Sequence, residues 1–323
     1  MQTKVLALSG GVGGAKLALG LSHILAPEEL LICANTADDF THLGLRVCPD
    51  LDTVMYTLAG ISNQQQGWGI EGESWQFLES LKRLGGADWF KLGDKDLATH
   101  VLRTEGLSGG QSLSQVTRRL CRSLNVPQRL VPMSDDPIST VLDTDQGCLS
   151  FQDYFVRRQC QPMVKAYRFD GIKQAVPQPE LIALLREPGL EAIVICPSNP
   201  FVSVEPILAL PGVRLALQQS AAPVIAVSPI VGGKALKGPA AKMMQELQLP
   251  VSALQVAHFY RGLVDGMVID VADETQRAAI EALDMACLVT PTVMKSLQDK
   301  TVLAEQLLHW VHSAFSGPGS VKG

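Results

Sequence analysis

The residues able to do chemistry gather in a few short loops, each following a run of apolar residues. The first is Ser9-Gly10-Gly11-Val12-Gly13-Gly14-Ala15-Lys16. Glycines let backbone N–H groups come close to phosphate oxygens, and a helix starting there adds its positive end. The spacing matches neither common nucleotide motif. A dinucleotide fingerprint has glycine where Lys16 stands, and a P-loop has Gly-Lys-Ser/Thr where this chain has Ala15-Lys16-Leu17. A tight strand-to-helix turn fits the same residues, so phosphate binding does not follow from this loop alone.

The second group is a cluster of carboxylates, Asn35-Thr36-Ala37-Asp38-Asp39 with Cys48-Pro49-Asp50-Leu51-Asp52-Thr53. Hard oxygens of this kind suit Mg²⁺, which keeps several waters and takes one or two carboxylates together with substrate phosphates. Helix capping competes with that reading, because Asp50 or Asp52 would cap a helix beginning near Thr53. Capping accounts for one carboxylate but not for the whole cluster. A metal-binding or catalytic role is therefore expected for at least one of them.

Two later loops add to these. Cys196-Pro197-Ser198-Asn199-Pro200 is a turn held rigid by its prolines, suited to a sugar or a base. The stretch from Ser228 to Pro239 combines Gly232, Gly233 and Gly238 with Lys234 and Lys237, a candidate diphosphate cradle. Each alone would be an ordinary turn. The segment Lys91-Leu92-Gly93-Asp94-Lys95-Asp96 reads as a solvated turn or as a wall for a second substrate, with Trp89 and Phe90 offering a flat face. None of the 6 histidines pairs with a serine or cysteine elbow, which leaves a hydrolase triad without support.

The elements that would position these loops follow from hydrophobic patterning. Val5–Leu8 reads as a buried first strand, too short for a signal peptide's apolar core. Ala15–Leu25 reads as a helix ending before Pro27, and Leu30–Ala34 as a second strand. Residues 53–124 read as mainly helical, with apolar spacing through Trp75, Leu78, Leu81 and Leu84, a stop at Gly85-Gly86, and Ser112 or Ser114 as a later cap. Leu130–Met133, Thr140–Asp143, Leu149–Val156 and Val164–Phe169 read as short antiparallel strands. Ala192–Cys196, Pro223–Val227, Met267–Asp270 and Ala286–Thr290 resume strand-helix alternation. The expected fold is α/β: a doubly wound, mainly parallel Rossmann-like sheet with helical and antiparallel insertions. It would form one domain over residues 1–315, with a mainly helical insertion at about 60–125 and a disordered tail at 316–323. No internal repeat is evident.

Composition bounds the function. The 323 residues are 46% hydrophobic and only 18% charged, which excludes a disordered chain and points to a surface covered by a partner subunit. With 27 basic and 32 acidic side chains the net charge is −5, no footprint for nucleic acid or an anionic membrane. An anionic ligand must then be held by local loops. No apolar run reaches bilayer-spanning length. The 7 cysteines show no C-x-x-C pair, and several lie within apolar strand patterns. Buried thiols in a reducing cytoplasm are expected, with no zinc site.

Taken in order, these motifs resemble the CofD-type 2-phospho-L-lactate transferases. The glycine loop, Asn35–Asp39, Pro49-Asp50-Leu51-Asp52-Thr53 and Lys91–Asp94 fall in the family's sequence. So do Pro132-Met133-Ser134-Asp135-Asp136, Phe151-Gln152-Asp153-Tyr154, Pro197–Pro200 and Val227–Gly232, over about residues 3–312. The resemblance implies a step in making coenzyme F-420. A phosphorylated three-carbon acid, phosphoenolpyruvyl or 2-phospholactyl, would pass from a guanosine diphospho donor to the deazaflavin Fo, with GMP released and Mg²⁺ required.

By that resemblance Asp52 and Lys91 match positions that contact Fo. Asp39 and Asp50 would face the metal and the diphosphate, with Asp52 and Asp39 carrying catalysis. Gly10, Gly11, Gly13, Gly14, Asn35, Ser198, Asn199, Ser228 and Gly232 match the guanosine-diphosphate side. Cys48-Pro49-Asp50 and Asp88-Trp89-Phe90 look more like bacterial members, whose donor derives from phosphoenolpyruvate; a phosphoglycerate donor is a further variant. A homodimer is also implied. A second class stays open: distantly related regulatory proteins that bind nucleotide-sugars carry similar glycine and Asn-Thr-Asp motifs but lack the match at Lys91–Asp94. An NAD-dependent oxidoreductase fails on the glycine spacing and lacks an evident catalytic acid.

Overall fold

The computed structural model describes residues 3–236 and 238–315. The expected disordered tail at 316–323 lies outside the described residues. Seven short strands form one parallel sheet: β1 (Val5–Ser9), β2 (Leu30–Ala34), β3 (Arg129–Pro132), β4 (Ala192–Ile195), β5 (Val224–Val227), β6 (Gly266–Ile269) and β7 (Ala286–Val289). Their order across the sheet is 7-6-5-4-1-2-3, with every neighbouring pair parallel. The order reverses between β1 and β4, which pair from Val5 with Ala192 to Leu8 with Ile195. Such a switch point leaves a crevice at the carboxyl ends of the two strands, where doubly wound sheets take their ligands.

The sheet is buried on both faces, so β1 and β2 read as continuous apolar runs rather than alternating ones. Alternation shows instead in the division of the core. Leu6, Leu8, Leu31 and Cys33 pack into one layer. Val5, Ala7, Leu30 and Ile32 pack into the other, beneath helix α1 (Val12–Ile24) and the C-terminal helix Leu297–Phe315.

The insertions come after β2 and after β3. After β2 the chain forms a hairpin (Phe40–His42 with Leu45–Val47), then helices α2 (Pro49–Leu58), α3 (Gln76–Arg83), α4 (Asp94–Ser108) and α5 (Leu113–Ser123). Helix α2 begins a turn earlier than Thr53, at a proline suited to a first helical position, with Asp50 and Asp52 in its first turn. Ser112 caps α5: its hydroxyl accepts from Gln115 N at 3.3 Å while Ser112 N donates to Gln115 Oε1 at 3.0 Å.

Two expected strands differ. Leu130–Met133 does not join the antiparallel group but lies in the main sheet as β3, parallel to β2. Leu149–Val156 splits: a strand Gly147–Ser150 ends where a π-helical turn, Asp153–Arg157, begins. The apolar run there has helical rather than alternating period. Phe151 and Phe155 stack at 5.4 Å with planes 12° apart, and Arg158 Nε donates to Asp153 at 3.0 Å. The remaining strands of that insertion, Ser139–Thr144 and Val164–Asp170, form the expected antiparallel sheet with it.

Candidate active site

A cavity of about 650 Å³ opens at the switch point, lined by all four loops singled out above together with Lys91. Two of those loops are fastened to each other. Gly10 N donates to Ser198 Oγ at 3.0 Å across 188 residues, and a side chain at Gly13 would overlap the Pro197 carbonyl. Gly11, Gly13, Ser198, Asn199 and Ser228 reach the cavity wall. Gly10, Gly14 and Gly232 are not in the lining, and the Gly232 amide donates to Asp273 Oδ2 at 3.0 Å.

The carboxylates divide into two groups. Asp38 and Asp50 line the cavity, whereas Asp39 and Asp52 do not. Asn35 is fully buried and orients one member of the pair, its Nδ2 donating to Asp50 Oδ2 at 2.9 Å. The other Asp50 oxygen lies 2.6 Å from where a Cβ on Gly11 would stand, so a glycine there is what admits the carboxylate. Burial pushes Asp50 up to about 6, against the pull of the Asn35 bond. Asp38 is raised well above the ordinary carboxylate range, first by burial and then by the charge of Asp50. Its Oδ1 is buried without a hydrogen-bond partner. Two repelling carboxylates with an orphaned oxygen, facing a cavity, fit a divalent ion bound by hard oxygens.

Asp39 turns away from the cavity, accepting from Arg46 Nη2 at 3.4 Å. Burial raises it to about 7, with Arg46 opposing. Asp52 is 5% exposed, and both its oxygens accept from Arg103, which is 1% exposed. Arg103 also donates to His100 Nδ1 at 3.2 Å, so that ring nitrogen is the acceptor and Nε2 faces Asp96 at 3.3 Å. Tyr56 Oη donates to the other Asp96 oxygen at 2.7 Å. Burial of Asp96 is outweighed by its His100 and Tyr56 bonds, which hold it below the usual range.

Asp52, Asp96 and His100 bring ligand atoms within 4.8 Å of one another, a spacing that could hold a metal ion. The Arg103 guanidinium is already paired with Asp52, and a cation there would face it. The better-suited donors are Asp38 and Asp50.

The same cavity has an aromatic wall. Trp89 and Phe90 line the cavity beside Lys91, with ring centroids 5.8 Å apart. The hairpin supports them: Phe40 meets Phe90 edge-on at 4.8 Å, and His42 meets Trp89 at 5.1 Å. Trp68, Phe151 and Phe155 add further apolar lining. Some of these residues were not singled out from the sequence. Trp68 was marked only by its setting in Gly67-Trp68-Gly69. Phe155 lay hidden in an apparent strand. Thr292, also in the lining, follows β7 and was findable by the same strand-end rule that located the other loops.

The fold and this cavity define an α/β protein with a cavity at the switch point of a doubly wound sheet. The chain belongs to the family described as 2-phospho-L-lactate transferase CofD, whose profile matches residues 5–304. It is thereby a transferase, with a role in coenzyme F-420 biosynthesis. The phosphoenolpyruvate transferase of Kitasatospora aureofaciens is 42% identical over 320 residues, covering 95% of this chain and 99% of that protein. The 2-phospho-L-lactate transferase of Methanosarcina acetivorans is 38% identical over 301 residues, covering 93% and 97%. A crystal structure of a UPF0052-family protein from Bacillus halodurans superposes with a TM-score of 0.61 at 17% identity, over 95% of this chain and 99% of that one, a likeness of fold alone. Among the described residues no single helix is long and apolar enough to cross a membrane.

Proposed function

We propose that this enzyme transfers a phosphorylated three-carbon acid from a guanosine diphospho donor to a ribityl hydroxyl of the deazaflavin Fo, releasing GMP. The observation carrying this reading is the Asp38–Asp50 pair, lining a cavity that also takes in the glycine loop and the aromatic residues Trp89 and Phe90. The hydroxyl oxygen bonds to the phosphorus that carries the three-carbon acid. The bond from that phosphorus to the bridging oxygen breaks, and the bridging oxygen leaves on GMP. Such transfers depend on in-line placement and charge neutralisation more than on a covalent catalyst.

Asp38 and Asp50 are the residues that would hold Mg²⁺, which supplies neutralisation of the diphosphate when bound. A carboxylate oxygen of the pair left free by the ion would take the proton of the attacking hydroxyl. Gly11, Gly13, Ser198, Asn199 and Ser228 hold the guanosine diphosphate side. Lys91 and the aromatic wall hold Fo. Asp52 and Asp39 act behind the cavity: Asp52 fixes α2, and through it Asp50, by its bond to Arg103. The likeness to phosphoenolpyruvate transferases favours a phosphoenolpyruvyl donor, with 2-phospholactyl as the other candidate. The reading also takes the enzyme to be a cytoplasmic homodimer, supported by its thin charge and its buried free thiols.

The test is to supply Fo, Mg²⁺ and each donor in turn and to follow GMP together with the mass of the deazaflavin product. Product with at least one donor supports the reading. Tight nucleotide binding without Fo binding or turnover would favour a regulatory protein instead.

A further inference from the structure

Residues 71–77 enter α3 and residues 91–96 enter α4, with the cavity residues Trp89, Phe90 and Lys91 on the stretch between the two helices. The first turns of these helices are bolted together by two carboxylates that exchange caps. Asp94, the first residue of α4, accepts from the α3 amides Gln76 N and Phe77 N, both at 3.1 Å, and from Ser74 Oγ at 2.6 Å. Glu73, just before α3, accepts from the α4 amides Lys95 N and Asp96 N, both at 2.8 Å. Each helix therefore has its unsatisfied amides met by an acid from the other. The bonds made by Asp94 hold its carboxyl below the usual range, Ser74 contributing most.

Two further contacts belong to the same joint. Asp94 N donates to Ser74 O at 3.0 Å, and Lys95 Nζ donates to Glu71 O at 2.9 Å. Gly93 has extended backbone and needs no special torsion, yet a Cβ there would overlap the Glu73 carboxyl group. Glycine at this position is thus required by the clamp itself. Beyond it lies the buried chain from Asp96 through His100 and Arg103 to Asp52, on the helix that carries Asp50. Helix α3, by contrast, has no buried residue, so packing alone does little to hold it.

We infer that Glu73 and Asp94 are positioning residues: a reciprocal cap that holds the wall carrying Trp89, Phe90 and Lys91 at the cavity and so sets affinity for the ring-bearing acceptor, without touching the donor side. The consequence for the acceptor rests on the functional reading above; the clamp itself does not.

The test compares the full-length wild type with Asp94→Ala, Gly93→Ala and Glu73→Gln, the last keeping an acceptor oxygen. Hydrogen exchange is expected to accelerate about tenfold or more at the Gln76, Phe77, Lys95 and Asp96 amides in the first two variants, while β1 and β4 stay protected. Steady-state kinetics are expected to show KM for Fo raised about tenfold, with donor KM and kcat at saturating Fo within about twofold of wild type. Glu73→Gln should fall between them and wild type. Unchanged exchange at those four amides, or a donor KM that rises in step with that for Fo, overturns the proposal. If wild-type protein does not bind Fo, the functional reading falls, and the exchange comparison still decides the clamp.

Discussion

Arg103 on α4 closes on both carboxylate oxygens of Asp52 on α2, 51 residues apart, with its Nη1 3.0 Å from Oδ2. Both groups are almost wholly inside the protein, and neither lines the cavity. An acid that looks catalytic by its place in Pro49-Asp50-Leu51-Asp52 is thus committed to a buried ion pair. Removing one partner leaves the other charge buried alone, which costs about 3–5 kcal/mol. Asp52→Asn should lower unfolding stability by an amount of that order in urea denaturation, and activity should fall with the folded fraction. Full stability with abolished turnover would return Asp52 to the chemistry.

The neighbouring pair should behave in the opposite way. Asp38 and Asp50 repel one another and are raised by burial, so neutralising one relieves the metal-free fold. Asp50→Asn is expected to be at least as stable as wild type in chelator, and to lose both its stabilisation by Mg²⁺ and about 10²–10³ in kcat. Thermal unfolding with and without Mg²⁺, beside a turnover assay, checks this. A variant that keeps the wild-type response to Mg²⁺ removes Asp50 from the ion site.

A dependence on pH follows with a definite sign. Asp50 near 6 and Asp39 near 7 both lie above the ordinary 3.8. The folded chain therefore holds protons that the unfolded chain releases between about pH 4 and 7. Their contribution to metal-free stability is complete below about pH 4 and is lost as pH rises through 6 to 7. The ion binds the deprotonated pair, so the gain in Tm from Mg²⁺ should be small near pH 5 and larger near pH 8. Equal gains at the two pH values would contradict the assignment.

Trp89→Ala removes a ring from the acceptor wall. An aromatic contact of about 0.5–1.5 kcal/mol corresponds to a loss of up to about tenfold in Fo affinity. Quenching of Fo fluorescence on titration with protein measures it. An unaltered Fo affinity alongside a weakened donor would move the acceptor elsewhere.

Much of this architecture was legible in the chain. Leu30–Ala34 was bounded correctly because a fully buried parallel strand is an unbroken apolar run between polar loops. The four loops were found because strands of a doubly wound sheet present their ends to one crevice. What the sequence withheld was direction. Asp38 and Asp39 are adjacent, so no spacing rule shows which faces the cavity, and Arg46 decides it from a hairpin. Asp52 is paired with Arg103, a partner that no local pattern announces. The turn at Asp153–Arg157 was hidden because Phe151, Tyr154, Phe155 and Val156 are as common in strands as in buried helical turns.

The central claim is that the cavity joins a guanosine diphospho donor to Fo. Its most direct measurement is GMP release in the presence of phosphoenolpyruvyl or 2-phospholactyl donor, with and without Fo and Mg²⁺. GMP and a heavier deazaflavin bearing the phosphorylated acid are expected in equal amounts, only when Fo and Mg²⁺ are both present. GMP released at the same rate without Fo, or no GMP from any donor by a folded enzyme that binds Fo, would contradict it.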